Sequence, residues 1–299
     1  MPKALAAAAV KVEYANPVPV LHRPRRSGLG NRKVTLAVCV ATILGLAAIV
    51  AAGLAVSDQA TVVDFSIKKL APCLEHPFGT DHMGRDMFLR TLTGLSTSVL
   101  VGLLAAGVSS IIALALGTAA ALGGPKTDAV ITWLIDLMMG LPHIVLLILI
   151  SYALGKGFWG VTVGIALTHW PNLARVVRAE VLQCKQSTYI ACARRLGAGP
   201  VRIMVRHMLP YVLPQYVVGL ILMFPHAILH EAAVTFLGFG LSPDQPAIGV
   251  ILSESMTYLS AGMWWLAVFP GLALILTVML FDIAGTSLRK LVDPHSSQE

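Results

Sequence analysis

The sequence predicts an all-α, polytopic membrane protein with six transmembrane helices, and two observations carry that expectation. Of the 299 residues, 56% are hydrophobic and 12% charged, with a mean hydropathy of +0.77. Such a chain has too little polar surface to cover a water-soluble globule. Its apolar residues also fall into runs of spanning length, since a hydrocarbon core of about 30 Å needs about 20 residues of helix. The net charge of +7 does not point to nucleic acid. The basic residues lie between the apolar runs and are not gathered on one soluble face.

Six runs qualify. Residues 34–56 and 95–122 contain no charged residue. The third run, 131–155, carries Asp136 near its start and has Gly140, Pro142 and His143 as the places for a bend. The fourth and shortest, 157–174, contains His169 and Pro171. The fifth begins near Leu209 and continues past Ile228, with Pro210, Pro214 and Pro225 inside it. The sixth covers 256–281 and is closed by Asp282. The first run reads as a retained helix and not a cleaved signal, because 33 residues precede it and it is long enough to span.

Six spans put both termini on one side. The loops of that side hold seventeen Lys and Arg residues and those of the other side five, so the positive-inside rule assigns both termini to the cytoplasm. The expected organisation is a basic cytoplasmic tail (1–33), a first span with an outer loop (34–94), a five-span core (95–288) containing a cytoplasmic loop at 186–210, and a cytoplasmic C-terminus (289–299). The tail is a run of alanines followed by Pro and Arg, which cannot build a core. It reads as a topology signal or as a contact for anionic membrane lipid. Of the four cysteines only Cys73 falls outside, so no intrachain disulfide is expected there.

The cytoplasmic loop has its own pattern. In YIACARRLGAGPVRIMVRHMLP, residues 189–210, four arginines surround Gly-Ala-Gly-Pro. Residues 186–196 suit a helix, Gly197 suits its C-terminal cap, and Pro200 suits the first position of a second helix. Val201, Met204, Val205, Met208 and Leu209 then recur at helical spacing. Snorkelling arginines at a membrane boundary account for part of the charge, but not for a two-helix unit.

Tyr189, the small residues at 191–193, Arg194, Leu196, Gly197-Ala198 and His207-Met208-Leu209-Pro210 resemble the "EAA" loop of permease subunits of binding-protein-dependent ABC importers. Ala191 stands where the acidic residue of that motif belongs, and Cys192 replaces its first alanine. Two further segments are similar to the second permease of dipeptide, oligopeptide and nickel importers. One is His76-Pro77-Phe78-Gly79-Thr80-Asp81 with Gly84-Arg85-Asp86; the other is Glu231-Ala232-Ala233 followed by Thr235-Phe236-Leu237-Gly238-Phe239-Gly240-Leu241. Asp293-Pro294 also fits, and the resemblance covers residues 34–295.

The resemblance implies the type I importer permease fold and a place in the bacterial cytoplasmic membrane. It implies ATPase-coupling roles for Tyr189, Ala193, Arg194, Leu196, Gly197, Leu209 and Pro210. The implied partners are a second permease in a heterodimer, two ATPase subunits that carry ATP and Mg, and an extracytoplasmic substrate-binding protein. No cofactor bound by this chain and no nucleic acid are expected. The implied cargo is a dipeptide, an oligopeptide, nickel or a metal chelate.

Ionisable groups inside spans are costly and mark functional sites. His143, His169, His226, His230 and Glu231 are the candidates for the pathway. His226 and His230 are four apart, hence on one helical face, and imidazole suits nickel, zinc and copper. Two readings of this pair stay open: transient metal ligation, or interhelical hydrogen bonding and gating polarity. Asp136 and Asp282 are expected to pair with basic residues near the cytoplasmic ends of spans. Trp159, Trp264 and Trp265 are expected in an outer interfacial belt, and Gly79, Gly84, Arg85 and Asp86 are expected to shape the outer loop.

Two other classes fail on pattern. His230-Glu231 starts a His-Glu-x-x-His motif, but Val234 occupies the second His position. A self-sufficient secondary transporter commonly carries internal repeats, and neither half of this chain repeats the other. There is also no Gly-x-x-x-x-Gly-Lys-Ser/Thr loop with which the chain itself could hydrolyse ATP.

Overall fold

The computed structural model describes residues 28–292; most of the basic tail, and Asp293-Pro294, lie outside them. Among the described residues the secondary structure is helical apart from one isolated bridge between Thr80 and Asp86. The first apolar run forms α1 (Gly28–Ala55), and the second forms α2 (Met87–Leu122). The latter starts at Met87, ahead of the expected Leu95, because Asp86 caps it. The Asp86 carboxylate accepts the amides of Phe88 and Leu89 at 2.7 and 3.0 Å, pairing donors that a helix start leaves free.

The third run is two helices, α3 (Pro125–Gly140) and α4 (His143–Ala153), set at 96°. Proline disfavours a helical conformation in the residue before it and offers no N–H to continue the ladder, and Leu141 is accordingly extended. The fourth run continues well past 174, as α5 (Gly157–Lys185). Arg178 there donates from Nε and Nη2 to the two carboxylate oxygens of Asp128, both at 2.6 Å, clamping α5 to α3. Asp136 pairs with Arg175 at 2.5 Å on an exposed surface, where such a pair contributes little.

Residues 186–210 form α6 (Thr188–Arg195) and α7 (Pro200–Ile203). The second helix is not separate, contrary to expectation. A π-helical turn at Met204–Met208 joins α7 directly to α8 (Leu209–Phe236), so the chain runs as one apolar helix from Pro200 to Phe236. Met256 belongs to a short helix, α9 (Ile248–Leu259), and the last span is α10 (Trp265–Val292). The amides of Ala261 and Gly262 turn back onto the carbonyls of Tyr258 and Leu259, which ends α9 before the span begins.

Among the described residues four helices are long and apolar enough to cross a membrane, and five if α3 and α4 form one bent span. The remaining expected crossing, α5, is not among them. His169, Pro171 and Asn172 interrupt its apolar stretch, and α5 packs against α2, α4 and α8. Its contact with α2 depends on small residues, because lipid supplies no hydrophobic force to bring helices together. A Cβ at Gly117 would stand 2.6 Å from the Ala174 carbonyl oxygen and 2.9 Å from Val177 Cβ. Gly117→Val is therefore expected to cost about 1–3 kcal/mol by overpacking, read as a lowered unfolding temperature in detergent. Gly107→Val, on the same helix with open space around it, is expected to leave that temperature unchanged.

Residues 57–86 fold back as a compact loop. His76 Nδ1 meets Asp86 at 2.6 Å, and the Asp81 carboxylate accepts the amides of Met83 and Arg85 at 2.8 and 2.9 Å. Asp81 also binds Arg85 Nε at 2.6 Å and Arg90 Nη1 at 2.8 Å, while Glu254 of α9 binds Arg90 at 3.0 Å and Arg85 at 3.2 Å. Two acids and two arginines thus tie the loop to α2 and α9. Trp159 and Trp264 are exposed, whereas Trp265 is turned inward against Gly79.

Candidate functional site

The break between α3 and α4 opens a cavity of about 500 Å³ against α5 and α8. His143 is the first residue of α4, and the bend puts it in the cavity lining. His169 reaches the same space from α5, and His226 and His230 reach it from successive turns of α8. Three of these four histidines converge. One ring nitrogen from each of His143, His169 and His230 lies within 4.8 Å of the others, with ring centroids 4.6, 4.6 and 5.0 Å apart.

Hydrogen bonds orient two of these rings. His169 Nδ1 lies 3.0 Å from the Ile165 carbonyl, and His230 Nδ1 lies 2.7 Å from the His226 carbonyl. A carbonyl only accepts, so in each neutral ring Nδ1 carries the proton and Nε2 carries the lone pair. His169 Nε2 points at His230 Nδ1 across 3.3 Å, while His143 Nε2 is buried with no partner among the described residues. Met138, Met139 and Met223 line the same space.

The other two candidates sit differently. His226 lines the cavity but is exposed and outside the triad; its carbonyl holds His230. Glu231 does not line the cavity. One residue further round α8, it is completely buried, and its Oε1 accepts from Thr235 Oγ1 at 2.8 Å. The trio itself was not visible as a set, because 143, 169 and 230 share no periodicity; the Gly140-Leu141-Pro142 break was the available signal for His143.

The expected coupling residues gather at the opposite end of α5 and α8. Gly197 has φ +83°, and its amide and that of Ala198 bond back to the carbonyls of Arg194 and Ala193 at 3.0 and 3.1 Å. This pair of bonds is a Schellman cap. It throws Leu196, 87% exposed, and Val201, 70% exposed, to the surface over a buried base of Ile190, Ile203 and Met208. Ala193 packs on that base and Arg194 is exposed. The Tyr189 ring stands edge-on to His207, and its hydroxyl lies 2.9 Å from Cys184 Sγ. Leu209 and Pro210 are exposed at the foot of α8, and Ala191 and Cys192 also face outward.

Residues 111–298 match the family described as the binding-protein-dependent transport system inner membrane component. The chain belongs to this family. The permease is 34% identical over 281 residues to a putative peptide transport system permease protein of Brucella abortus, covering 94% of each chain. It is 33% identical over 227 residues to the dipeptide transport system permease protein DppC of Bacillus subtilis, covering 76% of this chain and 71% of that one. A putative peptide permease protein of Brucella suis is 37% identical over 237 residues, 78% of each chain. The MetNI methionine ABC transporter in inward-facing conformations superposes with a TM-score of 0.58 at 18% identity, over 69% of this permease and 98% of the matched chain. The permease has the type I importer fold.

Proposed function

We propose that this permease pairs with a second permease to form the path by which short peptides, or small metal chelates, cross the cytoplasmic membrane, driven by two ATPase subunits docked on residues 186–210. One observation carries the reading. The exposed knob at Leu196 and Val201 is built into the two helices that wall the cavity: α5 ends at Lys185, two residues before α6 begins, and α7 runs unbroken into α8. A force on the knob therefore reaches the helices of His169 and His230 without crossing a flexible linker. Non-helical or bent backbone at membrane depth is tolerated where it lines a cavity, and the break at Gly140–His143 sits at such a place.

In the proposed cycle a substrate-binding protein delivers cargo to the outer loop. ATP closes the partner ATPases, and their movement swings α5 and α8 so that the cavity opens outward. Hydrolysis on the partners returns it to the cytoplasmic side. The names of the relatives favour peptides as cargo. The test is ATP-dependent uptake of labelled dipeptide, oligopeptide, nickel and a nickel chelate in cells lacking this permease and in cells with it restored. Restored uptake of at least one cargo is expected, and identical uptake of all four in the two strains would overturn the proposal.

A further inference from the structure

We propose that His143, His169 and His230 form a transit site for a divalent transition-metal ion, bound by three imidazoles with its remaining positions filled by water or by a small chelating ligand travelling with it. The inference rests on the reading of the cavity as part of the translocation path. It goes beyond that reading by naming the ion-binding side chains and the metal class.

The donor count points to a cation. In His169 and His230 the Nδ1 proton is committed to a carbonyl four residues earlier on the same helix, so both Nε2 atoms are left as lone-pair acceptors. His143 adds a buried Nε2 with no partner among the described residues. One ring nitrogen from each of the three histidines lies within 4.8 Å of the other two, and an entering ion would take the place of the contact between His169 Nε2 and His230 Nδ1, which spans 3.3 Å. The carbonyl contacts are the arrangement that orients metal-binding histidines and fixes their tautomer. Thus the exposed His226 contributes through its backbone and not its ring.

Nitrogens on a tetrahedral zinc ion stand about 3.3 Å apart, given metal–nitrogen bonds of about 2.0–2.1 Å, and these lie within 4.8 Å of one another, so small movements bring them to ligating distance. The rings come from three different helices, so a small relative movement of α4, α5 and α8 tightens or loosens the set. No carboxylate lines the cavity among the described residues, which disfavours magnesium and calcium. The imidazoles and the nearby thioethers of Met138, Met139 and Met223 favour nickel, cobalt, zinc or copper.

The test uses the complete untagged transporter in lipid nanodiscs, titrated with Co(II) and followed by its visible ligand-field absorption, with Ni(II) retention measured by equilibrium dialysis. One ion per permease is expected. His143→Gln, His169→Gln and His230→Gln are each expected to weaken binding at least about tenfold, in line with changes around metal-bound histidines. His226→Gln, and His82→Gln in the outer loop, are expected to leave it unchanged. Wild-type protein that binds no more Co(II) or Ni(II) than the triple Gln variant would overturn the site, as would an equal loss from His226→Gln. Dipeptide uptake by the same transporter in proteoliposomes separates the two readings. Uptake without ion binding removes the metal site alone, whereas ion binding with no ATP-driven uptake of any cargo removes the transport reading.

Discussion

Replacing Gly197 with valine is expected to abolish ATP-driven uptake while the protein still inserts and assembles. Space is not the obstacle, because nothing lies within 4 Å of a Cβ added there. The obstacle is the backbone. At φ +83° an L-residue pays about 1–2 kcal/mol, and a β-branched residue is a marked outlier in that region. Valine therefore pulls the turn toward negative φ, which breaks the bond from Ala198 N to the Ala193 carbonyl and redirects Pro200. Because α7 is rigidly continuous with α8, the strain is relieved at the exposed tip, where Leu196 and Val201 lose their fixed spacing. Gly197→Asn is the matched control, since asparagine tolerates the left-handed region, and it is expected to keep most of the uptake. The measurements are dipeptide uptake and ATPase activity stimulated by the binding protein, in proteoliposomes. Valine should lower uptake at least about tenfold, a rise of about 1.4 kcal/mol or more in the barrier of the transport cycle. Normal uptake by the valine variant would remove residues 186–210 from the drive path.

Features set by local conformation were legible in the sequence, and features set by packing were not. Gly197 and Pro200 announced the cytoplasmic turn because each restricts the backbone by itself. Gly140 and Pro142 marked the broken span for the same reason, although nothing local fixes its 96° angle. The end of α5 was misplaced because apolarity stops near Ala174, whereas the helix continues on the support of the Arg178–Asp128 clamp. His226 and His230 both line the cavity from α8, yet the ring that joins His230 comes from α5 and the next from α4. A helical period sees only its own helix. Glu231 looked like a cavity residue by its place in the sequence, but one position along α8 is a rotation of about 100°, enough to bury it. The outer-loop motif was read as structural; its partners Arg90 and Glu254 were missed, because they stand 164 positions apart.

Those partners set the second large effect. Arg90→Met is expected to destabilise the outer half of the permease by about 3–5 kcal/mol, the usual cost of removing one member of a buried ion pair. Arg90 and Asp81 are 3% and 4% exposed at their side chains, while Glu254 is 26% exposed. Without Arg90 a single cation, Arg85, faces two carboxylates. Glu254 can turn to water, but Asp81 cannot, since its Oδ1 is fixed by the amides of Met83 and Arg85. Glu254→Gln is accordingly expected to cost only about 1 kcal/mol. Acid distinguishes the two further. Burial alone would raise the Asp81 carboxyl, but the Arg85 amide, the Arg90 charge and the Arg85 side chain together hold it below the usual carboxylate range. A depressed folded value means that the stabilisation is complete above the ordinary aspartate value of about 4 and disappears as pH falls through the lower, folded value. Wild type should therefore keep its outer loop closed at pH 4. Arg90→Met, having lost one of the lowering charges, should open at a higher pH. Limited proteolysis of residues 57–86 in nanodiscs, run alongside thermal unfolding across pH, reads both effects. If Arg90→Met matched wild type in protease resistance and in its acid midpoint, the clasp would have no structural role, and the loop would have to be held by Phe78, which stacks on Phe269 and meets Phe88 edge-on.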